Sequence, residues 1–259
     1  MSYFELINEK GWFKIPHLLD EVLIQKLRDG MDDAYSFCRE IQVKNGIDAN
    51  TDGTVHHLPS VKSDVFLDLL KVLKSNEIKK FLHKYFQGQF ILNSYGGVIN
   101  KKNKPSYVAN IHRDVRFFNS ENDFMINVLV MLDDFTLDNG ATHLLTKSHT
   151  INEKPEENTF YNNAERATGT AGDVVFFNSK LWHAAGINKT NQQRRAITIT
   201  LTKPFFKQQL DYCRLLGEST ISKLDDHLKQ LLGYNSRVPS NLDEWYQPKE
   251  KRFYKADQD

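Results

Sequence analysis

From Phe90 to Thr202 the chain consists of short apolar runs broken at close intervals by turn-forming residues: FILNSYGGVIN, a KKNKPS turn, SYVANIHRDV, NDFMINVLVML, a DNG turn, ATHLL, GDVVFF and RRAITITLT. Several strands this closely spaced, with Gly, Asn, Asp and Pro between them, predict an antiparallel sandwich or jelly roll and argue against alternating β/α units. Helical signals flank the region. Gly11 to Leu19 reads as a short strand, and Asp20 is placed to cap EVLIQKLRDGMDDAYSFCREI, whose apolar residues recur at helical spacing. Residues 43–60 read as a polar loop, a helical pair spans roughly Ser63 to Phe86, and Pro204 to Asp259 returns to helical patterns with a charged end. The expected organisation is a single domain over 1–259: a helical region 1–88, a β core 89–203 and a helical region 204–259.

Charge narrows the partners. With 34 basic against 33 acidic residues the formal net charge is +1, which gives no field for nucleic acid or an anionic membrane and points to a small molecule. Cys38 and Cys213 both fall in helical segments and read as buried thiols, which suits a reducing compartment. No stretch approaches 18 continuous apolar residues and the N-terminus has no apolar leader, so the expected location is the cytoplasm. Oligomeric state is left open.

The residues that carry chemistry are His112 and Asp114, closing a strand-like run, and His183, sixty-nine positions after Asp114. Residues i and i+2 of an extended chain project to one side, so His112 and Asp114 can address one ion. Two imidazoles and one carboxylate on one face of an octahedron leave three positions open, the ligand arrangement of non-haem iron(II) oxygenases. An H-x-D tripeptide alone is weak; a surface His beside an Asp is the ordinary reading. The pair Arg194-Arg195 adds weight, because alternation along RRAITITLT turns one arginine into the interior whichever face that is. A guanidinium there needs a carboxylate, and the distal carboxylate of 2-oxoglutarate would supply it.

On these residues the chain resembles the phytanoyl-CoA dioxygenase family of iron(II)/2-oxoglutarate oxygenases, from about Gly11 to Thr202. The most specific piece is HAAGINKTNQQRRAI (183–197), with an arginine eleven places after the histidine. GWFKIPHLLDEVLIQKLR resembles the family's first strand and helix, and DNGATHLLTKSH (138–149) its Asn-Gly turn. The resemblance implies a cupin-like double-stranded β-helix, Fe(II) held by His112, Asp114 and His183, 2-oxoglutarate anchored on Arg194 in preference to Arg195, and O2 as co-reactant. Asn127 is then a candidate hydrogen-bond donor to the cosubstrate. Two positions depart from the family pattern: Ala185 stands where members often have Ser, and NVLVML, with Leu129, lacks the Trp that others carry. Because Asp114 is a carboxylate, no coordination position is vacant for chloride, which favours hydroxylation over halogenation.

For the substrate, Arg116 lies two residues beyond Asp114 and is a candidate for an anionic group, while His57, with His56, is a candidate lid residue in the 43–60 loop. His143 and His149 are read as structural, and KKNK (101–104) as a solvated hairpin tip. Two rival readings remain: a silent jelly roll that binds a ligand, and a metal-dependent hydrolase using the same three ligands.

Overall fold

Hydrophobic parity in the strands builds the centre of the molecule, seen in a computed structural model that describes residues 1–104 and 106–258. Pro105, in the expected 101–106 turn, and Asp259, at the end of the charged tail, lie outside the described residues. In chain order the elements are α1 (Tyr3–Lys10), β1 (Trp12–Ile15), α2 (Glu21–Lys44), α3 (Asp48–Thr51), β2 (Thr54–His56), α4 (Ser63–Val72), α5 (Asn76–Phe86), β3 (Ile91–Asn100), β4 (Met125–Met131), β5 (Thr142–Leu144), α6 (Glu157–Asn163), β6 (Glu165–Ala167), β7 (Val174–Asn178), β8 (His183–Ala184), β9 (Arg194–Thr202), α7 (Tyr212–Leu216), α8 (Glu218–Ile221), α9 (Asp226–Leu231) and α10 (Leu242–Trp245).

A six-stranded sheet runs β1-β7-β4-β9-β3-β2 and a three-stranded sheet runs β6-β5-β8, with every pair antiparallel. The large sheet has two unlike faces. Val128, Val130, Val174, Phe176, Ile197, Ile199 and Leu201 point outward into a core completed by α2, α4, α5 and α9. Leu129, Met131, Val175, Phe177 and Ala196 point inward and meet Ala141, just before β5, and Leu144 and Ala167 of the small sheet. This is the expected mainly β jelly roll with flanking helices. Further along the inner face the rows become polar: Phe177, Asn127, Thr200 and Ser94 lie side by side across β7, β4, β9 and β3.

Asp20 caps α2 by accepting from the Leu23 N–H, as expected. Three expectations need correction. The 43–60 segment is no free loop: α2 runs on to Lys44, and β2 hydrogen-bonds to β3 as an edge strand, with Thr54 and Val55 buried. Gly53 turns into it at φ +75°, where a Cβ would meet the Ile99 carbonyl at 2.7 Å. SYVANIHRDV forms no strand; a 3-10 turn at Tyr107–Ala109 is followed by irregular backbone. The segment after Pro204 holds only short helices, of which α7, α8 and α9 bury Tyr212, Cys213, Ile221, Leu228 and Leu231 against the main core. No helix among the described residues is long and apolar enough to cross a membrane.

Candidate metal centre

His112 and His183 meet through their backbones. An isolated antiparallel bridge joins them: the His112 N–H donates to the His183 carbonyl at 3.0 Å and the His183 N–H to the His112 carbonyl at 2.9 Å. Directly opposed residues send their side chains to the same side, and the two imidazole centroids are 4.2 Å apart. Asp114 is fixed next door, its N–H donating to the Ser179 carbonyl at 3.1 Å. Arg113 between them turns the other way, onto Trp182 and Asn152, so the i, i+2 logic holds although the strand does not form.

Asp114 Oδ1 lies 3.7 Å from His112 Nε2, and Oδ2 lies 3.6 Å from His183 Nε2. One donor atom from each of the three residues falls within 4.8 Å of the others. Ligands at right angles on an ion with bonds of about 2.1 Å are about 3.0 Å apart, so each imidazole–carboxylate separation stands within about 1 Å of that spacing. The ring tautomers already suit such an ion. His112 Nδ1 sits 2.7 Å from the Asn110 carbonyl and His183 Nδ1 sits 2.9 Å from the Leu181 carbonyl. A carbonyl can only accept, so both Nδ1 atoms carry the proton and both Nε2 lone pairs face Asp114. Burial pulls the His183 imidazole below its ordinary value, which favours the neutral ring that ligates.

The three side chains open onto a cavity of about 620 Å3 that Asn127, Thr198, Thr200 and Arg194 also line. Parity on β9 decides between the arginines. Arg195 shares the outward face of Ile197 and Ile199 and forks onto Asp133, Nε at 3.0 Å and Nη2 at 3.1 Å, with Asp32 of α2 at 2.9 Å. Arg194 points inward, 2% exposed, with its guanidinium 4.0 Å from the Phe135 ring centroid. It has no ion pair among the described residues, and its buried Nε has no hydrogen-bond partner. Burial pulls it down to about 9, only partly opposed by Asp133, which is committed to Arg195. An uncompensated guanidinium in a cavity beside three metal-type donors fits a dicarboxylate cosubstrate chelated to the ion.

Asn127 is in the cavity, but its amide already has a partner: Nδ2 donates to Asp114 Oδ2 at 2.6 Å, while Oδ1 accepts from Thr200 Oγ1 at 2.9 Å. One N–H of the amide thus holds Asp114, and the second is the donor left for the cosubstrate. Asn127 and Thr200 are cross-strand partners, a register not readable from either strand alone. Arg116 lines the cavity as expected, and Ala185 and Leu129 lie on its wall. His57 does not line it. The residue takes a left-handed turn at φ 57° that swings its ring away to Tyr212, with Nδ1 3.0 Å from the hydroxyl. His56, last in β2, lines the cavity instead, its Nε2 3.3 Å from the Tyr107 hydroxyl.

Comparison with known proteins places the chain among dioxygenase-type sequences and folds. The Uncharacterized protein Rv1501 of Mycobacterium tuberculosis (strain ATCC 25618 / H37Rv) is 44% identical over 133 residues, 51% of this chain and 49% of that protein. The match thus spans about half the length of this relative. A protein named Dioxygenase cdmA from Talaromyces verruculosus is 22% identical across 90% of this chain and 83% of its own. Among solved structures, AviO1 from Streptomyces viridochromogenes Tue57 superposes with a TM-score of 0.58 at 19% identity, covering 78% of this chain and 94% of that one. SnoK, a non-heme alpha ketoglutarate dependent carbocyclase from nogalamycin biosynthesis, gives 0.57 at 18% identity, covering 77% and 82%, so both share the fold. The sequence model of the phytanoyl-CoA dioxygenase (PhyH) family matches residues 7–196, close to the whole span from the first helix to the arginine strand, and the chain belongs to that family.

Proposed function

We propose that the protein is an Fe(II)/2-oxoglutarate-dependent dioxygenase that hydroxylates an aliphatic C–H bond of a small-molecule substrate, releasing succinate and CO2. The observation that carries this reading is the pairing, in one cavity, of two Nε2 lone pairs and a carboxylate with a buried guanidinium that has no counter-ion among the described residues. His112, Asp114 and His183 hold the iron. Arg194 binds the distal carboxylate of 2-oxoglutarate, which restores the counter-charge that burial has denied it. Asn127 and Thr200 keep the Asp114 carboxylate turned toward the histidines. When bound, ferrous iron and 2-oxoglutarate together supply oxygen activation coupled to oxidative decarboxylation. The Phe177 ring, edge-on to His183 with centroids 4.9 Å apart, shields the buried side of that ligand from water.

The carboxylate in the ligand set favours hydroxylation over halogenation, because it fills the position a halide would need. Over a hydrolase with the same three ligands, the cosubstrate reading is favoured by the buried guanidinium, which lies in the cavity wall without an ion pair among the described residues. The test is 2-oxoglutarate turnover by the purified, iron-loaded chain in air with a panel of small molecules. Succinate formation that requires both iron and O2 and rises with a substrate supports the reading; indifference to 2-oxoglutarate contradicts it.

A further inference from the structure

We propose that the substrate carries an anionic group, a carboxylate or a phosphate, which seats on Arg166, Lys189 and Lys104 in a second cavity beside the metal centre. The proposal rests on the oxygenase reading above and narrows its substrate class. This second cavity has a volume of about 910 Å3 and shares Tyr107, Asn110 and Ala185 with the first, so a molecule crossing that rim occupies both. Strand register fixes the spacing. Arg166 on β6 pairs with His143 on β5, which pairs with Ala184 on β8, the residue after His183. Arg166 therefore sits two strand spacings, roughly 10 Å, from the backbone that carries the metal-type histidine.

None of the three cations is committed. Arg166 is pinned by its own strand surroundings, Nε donating to the Ala141 carbonyl at 3.0 Å and Nη2 to the Leu137 carbonyl at 3.4 Å, and no carboxylate pairs with it among the described residues. Its partial burial without a counter-ion lowers its pKa. Lys104 and Lys189 likewise have no ion pair among the described residues and line the same concavity. The acid in the wall, Asp52, is spent: Tyr35 donates to it and Lys101 pairs with it at 3.0 Å. A chain of net charge +1 thus gathers three cations from positions 104, 166 and 189, none ion-paired among the described residues, around one hollow, although they are far apart in sequence. Gly186 makes room for the guanidinium, since a Cβ there would stand 2.6 Å from Arg166 Nη2. A rigidly held guanidinium fork with flexible lysines at its side is a carboxylate or phosphate receptor.

The test is calorimetric titration of the full chain, loaded anaerobically with Fe(II) and 2-oxoglutarate, with phenyl phosphate, benzoate and neutral benzamide, repeated on metal-free chain. The expected result is saturable binding of an anion and none of benzamide, weakened about tenfold or more by Arg166→Gln and several-fold by Lys189→Gln. Lys189 is exposed, so its replacement keeps the test valid if the arginine variant fails to fold. Preference between the two anions names the group. Anions that fail to bind, or that bind both variants as well as wild type, overturn the subsite even where 2-oxoglutarate is turned over. Anion binding as expected in a chain that binds no 2-oxoglutarate leaves the subsite standing as an anion site and sinks the oxygenase reading.

Discussion

His112 and His183 exchange both of their backbone hydrogen bonds, so the two imidazoles are set side by side by main chain and not by side-chain packing. A single bridge between an irregular segment and a two-residue strand does this work. Asp114 is then positioned from a third direction by Ser179 and Asn127. The consequence is a site whose donors can be removed one at a time without dissolving the frame beneath them.

Replacing His183 by Ala therefore leaves the bridge intact and removes one donor. Iron affinity, read by anaerobic equilibrium dialysis, falls by about a hundredfold or more, while far-UV circular dichroism is unchanged and the buried cavity costs about 1–3 kcal/mol of stability. Retained iron binding in this variant contradicts the assignment.

Asn127 and Thr200 act on the metal only through Asp114. Asn127→Leu removes the 2.6 Å donor and lowers iron affinity by about 10–100-fold, the range typical of such supporting contacts. Thr200→Val keeps the shape but frees the amide to rotate, giving a smaller loss in the same direction. A double variant no worse than Asn127→Leu alone shows that the two residues form one relay.

The neighbouring arginines separate cleanly. Arg194→Met removes a buried, unpaired charge, so it raises the melting temperature of the cosubstrate-free chain yet abolishes the stabilisation that 2-oxoglutarate gives wild type, about 2.7 kcal/mol at a hundred times its Kd. Asp133→Ala does the reverse. It leaves Arg195 with Asp32 alone and Arg28 with Glu21 and the Leu132 carbonyl, and costs about 1.5–3 kcal/mol with no effect on 2-oxoglutarate affinity. Thermal scans with and without 2-oxoglutarate read both.

Histidines give the cosubstrate-free chain an acid limb. Burial first, then Arg166, pulls His143 down to about 4 from 6.5, and its Nδ1 is buried without a partner. Between those pH values the unfolded chain holds a proton that the folded chain refuses, so stability is full above about 6.5 and declines as pH falls toward 4. Urea midpoints measured across that window show the decline, and His143→Phe, set against Phe160 and Tyr161, makes it shallower.

Strands β3, β4, β7 and β9 were legible because apolar, β-branched runs bounded by turn residues leave little choice of state. Strands β2, β6 and β8 were not, because segments as short as Thr54–His56, Glu165–Ala167 or His183–Ala184 take their conformation from a partner strand and carry no period of their own. The H-x-D side-chain geometry was readable although the strand was not, since alternation needs only locally extended backbone. Alternation also forced one arginine inward; which one depended on the helices that claim Ile197 and Ile199. Asn127 was found but its partner was not, for that partner is set by the β4–β9 register. His57 gave way to His56 through one left-handed residue.

In the proposed enzyme one ferrous ion sits among His112, Asp114 and His183 with 2-oxoglutarate reaching back to Arg194. Anomalous diffraction from crystals grown anaerobically with Fe(II) and 2-oxoglutarate locates both. One iron peak is expected about 2.0–2.2 Å from both Nε2 atoms and the Asp114 carboxylate, with the cosubstrate's far carboxylate on the Arg194 guanidinium. An iron peak elsewhere, or a 2-oxoglutarate that leaves Arg194 unpaired, would contradict it.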